Sequence, residues 1–183
     1  MATANINADK QTWADSGSQT SFTAARNATS STTHVNYTNS QFNRSDAIQE
    51  VYSSGRGGGV WRFARSFFFF DTSSISGTIT AIDLKIYGYL FAGNRVRIAK
   101  STAFGTNGGS AYANSDFNNW TTLGFGGAPI PYSTDFTWTA GATNTIALNA
   151  AAISNANSNN YINLVAVGQI NDYTGNAPFF DVV

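Results

Sequence analysis

At 183 residues the chain is sized for one domain, and it can bury roughly two-thirds of its unfolded surface without disulfide or metal support. Only 11% of its residues are charged, ten bases balance ten acids, and 14% are aromatic. The absence of cysteine excludes disulfide frameworks and thiolate metal sites, the apolar and aromatic content excludes intrinsic disorder, and no run of about 20 apolar residues spans a bilayer.

Residues 1–45 are polar and weakly patterned, and are expected to be an arm or irregular first strands ahead of a β-sandwich over 46–183, or part of one domain 1–183. The opening, Met1 to Trp13, lacks the basic and apolar regions of a signal peptide. Beyond it, helix formers are scarce, while Thr, Phe, Tyr, Val and Ile are common and Gly and Asn recur at short intervals. That profile predicts many short strands joined by turns, an all-β sandwich or barrel. A short strand is predicted at 47–52 and a long one at 60–70, VWRFARSFFFF. Alternation puts Trp61, Phe63, Phe67 and Phe69 on one face of it, and Phe68 and Phe70 on the other. A run apolar on both faces is either a central strand or one whose outer face meets a partner. The second option predicts a homo-oligomer, most simply a trimer.

Residues 79–89 alternate, with Ile82, Leu84 and Ile86 inward and Asp83, Lys85 and Tyr87 outward. In 95–100, Val96 and Ile98 face in and Arg95 and Arg97 face out. A long Gly-rich loop, 101–127, follows; loops of that length are usually functional or packed on a neighbour. Strands are predicted at 136–139, 144–148, 161–169 and 178–183, with one short helix at 149–157 capped by Asn149.

Charge is uneven along the chain. All ten Lys and Arg lie in residues 1–100, and residues 101–183 hold four acids and no base. The bases are spread among acids, which argues against nucleic-acid binding. A dipolar subunit docking on an acidic neighbour is one reading, and chance clustering on a neutral surface is the other.

Catalytic candidates are few. A nucleophilic triad needs a histidine, and His34 stands alone in a Ser/Thr-rich segment. Carboxylate pairs such as Asp71/Asp83 or Asp172/Asp181 have the chemistry for glycoside hydrolysis, but Asp71 reads as a turn cap and Asp83 as an outward strand residue. No catalytic residue is assigned, and GRGGG at 55–59 lacks the Lys and helix of a phosphate loop. In the long loop, Tyr112 and Trp120 offer aromatic faces to sugar rings, with Asp116 and Asn118 to read hydroxyls. The competing reading buries Trp120 in a core or an interface.

The stretch RSFFFFDTSSISGTITAIDLKIYGY, residues 65–89, resembles the DNRLRE-type domain, a jelly-roll sandwich related to carbohydrate-binding modules. The matching residues are Arg65, Phe70, Asp71, Ser74, Ile75, Ile79, Ile82, Leu84 and Ile86. More loosely, NADKQTWADS, Trp120 with Pro129, IALNAAAISNA and YINLVAVGQINDYTGNAPFF follow the same family pattern. Thr121 and Thr122 stand where an acidic residue is usual, and Ile82 where a small alanine is. The resemblance implies an antiparallel β-sandwich of jelly-roll type with at most one short helix. It also implies that Asp71 accepts from the amides of the following turn, that Ile75 tucks under the sheet, and that Gly77 allows the tight turn. Modules of this kind often hold a structural calcium, for which Asp9, Asp172 and Asp181 lie in the matching regions; no other cofactor is implied. Such domains occur in polysaccharide-associated proteins and on phage particles. The expectation is therefore a non-enzymatic virion protein, a capsid decoration, fibre or tail-associated subunit, with capsid or tail proteins as partners. The alternative is a module that attaches to polysaccharide. Neither nucleic acid nor membrane is an expected partner.

Overall fold

The computed structural model describes residues 3–38, 49–53, 60–88 and 95–175. The chain is an all-β protein with two antiparallel sheets facing each other across an apolar core. The strands are β1 (Lys10–Asp15), β2 (Thr33–Thr38), β3 (Gln49–Ser53), β4 (Val60–Asp71), β5 (Asp83–Gly88), β6 (Arg95–Lys100), β7 (Phe136–Thr137), β8 (Ala142–Ala147) and β9 (Tyr161–Gly168). The large sheet runs β2-β1-β4-β9-β6-β7, with β3 also pairing β4, and β5 pairs β8 in the small sheet. Among the described residues α1 (Phe22–Arg26) is a single turn in the polar N-terminal region, and the one longer α-helix is α2 (Ala150–Asn159). The N-terminal region is no detached arm: β1 lies inside the large sheet, between β2 and β4.

β4 is the central strand, for the reason its sequence suggests. Along one edge it pairs β1 from Lys10↔Phe69 to Asp15↔Ala64, and the ladder continues through paired backbone bonds between Gln19 and Trp61. Along the other edge β9 takes Ser66–Asp71 and β3 takes Val60–Ala64.

Both faces of β4 are covered by the same chain. Phe68 packs with Val96, Ile98, Ile162 and Leu164 against Leu84 and Ile146 of the small sheet and Ala152 and Ala156 of α2. On the opposite face, Phe63, Phe67 and Phe69 pack with Ala99, Val165 and Val167 against Ala25 of α1 and Phe104, Tyr112, Phe117 and Trp120 of the long loop. The two-sided apolar pattern is thus satisfied within one chain. It gives no ground for the expected trimer, because Phe68 is buried and Phe70 packs against the first core.

Arg97 also departs from expectation. It lies on the loop-covered face, with its guanidinium 4.5 Å from the Tyr173 ring centroid and paired to Asp135. Alternation separates the faces of a strand but does not tell which of them is exposed.

Two predicted strands are shorter than expected because asparagine side chains replace strand partners. Asn157 of α2 accepts from Ile79 N and donates to Ile79 O, both at 2.9 Å, so the approach to β5 is tied to the helix. Asn144 does the same for Thr139, at 2.8 and 2.9 Å, beyond the two-residue β7. Asn149 caps α2 as expected, accepting from Ala151 N and Ala152 N. The predicted strand at 178–183 lies outside the described residues.

Candidate functional site

The most concentrated chemistry sits on the loop-covered face, around Arg65. An arginine amid the aromatics of β4 is forced under the second layer, where an unpaired charge is prohibitively costly. Its partner is Asp172, in the wide helical turn (Gln169–Tyr173) that follows β9. Nε donates to Asp172 Oδ2 and Nη2 to Asp172 Oδ1, both at 2.7 Å, and both side chains have zero exposure. Nη1 donates to Phe117 O at 2.8 Å and Nη2 to Arg26 O at 2.7 Å. Arg65 Cζ lies over two rings, 4.1 Å from the Phe117 centroid and 5.1 Å from that of Trp120. This is how a planar, always-charged fork is best used: bidentate pairing in plane and aromatic rings above it.

The neighbours extend the network. Arg26 Nε donates to Asp172 O at 2.7 Å, so the end of α1 and the turn after β9 hold each other. Tyr173 stacks on Trp120 at 6.0 Å between ring centroids, with Arg97 on the same ring system. One ion pair therefore joins β4, α1, the long loop and the chain beyond β9. The Arg65 guanidinium and the Asp172 carboxylate are committed to each other and to backbone carbonyls, so the pair positions segments, while Trp120 Nε1 and Arg97 Nε are buried without a hydrogen-bond partner among the described residues.

The predicted sugar platform is not assembled as an open surface. Trp120 is fully buried and Tyr112 is 4% exposed, so neither presents a ring to a ligand. Burial pushes the Tyr112 hydroxyl well above its ordinary ionisation range. Asp116 closes a turn, accepting from Ala113 N at 2.8 Å and from Asn119 Nδ2 at 2.7 Å. Partial burial raises its pKa from the ordinary carboxylate value, against the two hydrogen bonds that lower it. Asn118 is half-buried beside Arg65 Nη1, at 3.4 Å.

The predicted calcium ligands are not brought together either. Asp9 Oδ2 accepts from Asp71 N at 2.7 Å, at the far end of β4 from Arg65. Six residues of strand separate the two positions, roughly 20 Å at the usual rise. Asp172 has both oxygens on Arg65, and Asp181 lies outside the described residues. Among the described residues no three His, Cys, Asp or Glu side chains form a cluster able to hold a metal.

Asp71 does cap the turn after β4: Oδ1 accepts from Ser73 N at 2.8 Å. Bonds from the Ser73 hydroxyl and amide hold its pKa below the ordinary value. Thr72 N goes instead to Asn160 O, at 2.9 Å. Ile75 is half-buried, and Gly77 takes the positive φ of 95° that the turn demands.

His34 joins a polar chain on the β2 edge. Its Nδ1 lies 2.6 Å from Asn114 Oδ1, which also accepts from Ser31 Oγ at 3.0 Å. Since that oxygen only accepts, His34 Nδ1 is the donor, and the Ser31 proton is spent on Asn114. Through Nδ1 the histidine is therefore a donor to Asn114 and not a base toward Ser31.

Arg26, Phe117 and Tyr173 were invisible as site residues in the sequence. The usable signal was Arg65 itself: an arginine centred in VWRFARSFFFF, if buried, calls for a buried acceptor elsewhere in the chain. No protein-family model matches the chain, and no curated protein matches it.

Proposed function

We propose that the chain is a non-enzymatic structural subunit of a bacteriophage virion, fixed to the capsid, a fibre or the tail. The observation that carries this reading is the use made of the long loop 101–127. Its Phe104, Tyr112, Phe117 and Trp120 are spent on closing the second face of the sheet. The outcome is a sheet with a packed core on each face, and a part closed in this way suits repeated use on a particle surface. The outer face of the small sheet presents exposed Thr143, Thr145 and Ala147 of β8 opposite Tyr87, Lys85 and Asp83 of β5, a mixed face with one charge of each sign, and such a face suits contact with a neighbouring protein. The likeness of residues 65–89 to the DNRLRE-type jelly-roll domain supports the same reading, as does the low charge.

Quantitative mass spectrometry of gradient-purified particles from the phage that encodes the chain tests this. The expected result is a fixed copy ratio to the major capsid subunit. Absence from particles, together with saturable polysaccharide binding by the isolated chain, would install the carbohydrate-binding reading in its place.

A further inference from the structure

The loop that covers the second face carries a feature no role above absorbs. Asn107–Gly108 is the sole Asn–Gly pair in the sequence. It forms the tip of a tight turn, Thr106–Gly108, with Asn107 exposed at φ 57° and ψ 23° and Gly108 buried at φ 65°. Glycine is required there twice over: the left-handed φ favours it, and a Cβ at Gly108 would lie 2.6 Å from a ring carbon of Phe69.

We propose that Asn107 is a self-modification site, converted to aspartate and isoaspartate through a succinimide, and that Lys10 sets the rate. The deprotonated Gly108 nitrogen attacks Asn107 Cγ. A C–N bond forms and ammonia leaves. Water then opens the ring at either carbonyl, giving Asp or a backbone-lengthened isoaspartate. No electrons are exchanged, and water is the sole co-reactant. A following glycine is the least hindered nucleophile for this closure, because no side chain crowds the attacking nitrogen.

Attack requires the Gly108 peptide to swing about the Asn107 Cα–C bond, and three contacts resist that swing. Lys10 Nζ donates to Gly108 O and, at 2.8 Å, to Ser110 O. Gly109 N donates to Thr106 O at 3.2 Å. Phe69 backs Gly108. Lys10 is the one of these that can be removed without touching the core or the turn. Conversion to isoaspartate would add a methylene and a negative charge where the loop is pinned to the sheet, and so loosen the cover over the second core.

Alkaline incubation of the folded full chain tests this, with chymotryptic peptides followed by mass spectrometry. Cleavage after Phe104 and Tyr112 releases residues 105–112, in which Asn107 is the only asparagine, so the site is unambiguous. The expected result is amide-to-acid conversion of this peptide, with an isoaspartate product. It should outpace Asn114–Ser115 and Asn157–Ser158 in the same sample. Lys10→Met should raise the folded-state rate several-fold and leave the rate in denaturant unchanged. Two results would overturn the proposal: slower conversion at Asn107 than at those asparagines in the parent, or equal folded-state rates with and without Lys10. Should Lys10→Met fold poorly, Lys10→Arg keeps a donor to the same carbonyls and must then match the parent's rate.

Discussion

Arg65 and Asp172 are 107 residues apart in sequence and 2.7 Å apart in space, and each is intelligible only through the other. A buried ion pair is weak evidence of net stabilisation, because two desolvations offset much of the attraction. Removal of one partner is a different matter, since it leaves the other charge buried and alone. Arg65→Met and Asp172→Leu should each cost about 3–5 kcal/mol in denaturant unfolding, and the double variant should recover much of that loss. Additive losses would show that the two residues act separately. Arg65→Lys should behave almost like Arg65→Met, because an ammonium cannot make the bidentate pair and stack on Phe117 together. Asp71 gives the contrasting exposed case. Its carboxyl is held below the ordinary 3.8 by Ser73, so the folded state favours the anion. That contribution is complete above the unfolded value and fades as pH falls through the folded one. Asp71→Asn should therefore flatten the acid limb of the stability profile below about pH 4 and leave the alkaline limb alone. An unchanged acid limb in thermal melts across about pH 2 to 7 would show that the bonds from Ser73 do not stabilise the Asp71 anion.

Among the secondary-structure elements, period-two alternation was enough to place β4, β6 and β9 and to sort most of their side chains, because each is apolar on at least one packed face. Alternation failed at Arg97, where a charged side chain lies beneath a second layer that no local pattern announces. It also failed at Ile79 and Thr139, whose backbone groups find asparagine amides instead of a neighbouring strand. An amide side chain carries one acceptor and two donors in the geometry of a peptide group, so Asn144 and Asn157 each stand in for a residue of strand. This gives the Asn-rich composition a structural use that the sequence alone did not disclose. Asn144 is 3% exposed, and its Nδ2 serves Thr139 O at 2.9 Å. Asn144→Asp removes that donor and sets a carboxylate against a carbonyl. It should cost about 1–3 kcal/mol or more, with a smaller loss for Asn157→Asp, whose bonds are exposed. Equal losses measured by denaturant unfolding would mean that burial does not set the price. The long loop obeys the same logic with aromatics. Trp120→Ala should cost about 3–5 kcal/mol, as for any fully buried large side chain. A loss within about 0.5 kcal/mol, the range typical of surface substitutions, would return Trp120 to the list of binding residues.

For the whole molecule, part of the charge split between the two ends of the sequence is taken up on folding. Arg65 of the basic part pairs Asp172 of the acidic part, Arg97 pairs Asp135, and Arg26 donates to the Asp172 carbonyl. What looked like a dipole poised for an acidic neighbour serves in good part to join early and late segments of one chain. The joining has a mechanical consequence. β4 and β9 are covered on both faces, whereas β5 and β8 form a two-stranded sheet packed on one side, with Tyr87 62% exposed on the other. Backbone groups in doubly covered strands open only when the whole domain does, and singly covered ones open in smaller steps. Hydrogen exchange should therefore show the slowest amides in Phe67–Phe69 and Leu164–Ala166, with β5 and β8 exchanging earlier. Arg65→Met supplies the decisive comparison, since Arg65 touches the loop-covered face alone. Amides at Phe117–Trp120, Ala25–Asn27 and Asp172–Thr174 should accelerate far more than those of β5 and β8, because the ion pair is the common tie of those three segments. Uniform acceleration across the chain would mean that the variant lowers global stability only, and that Arg65 is one more core residue with no special part in fastening the second layer to the sheet.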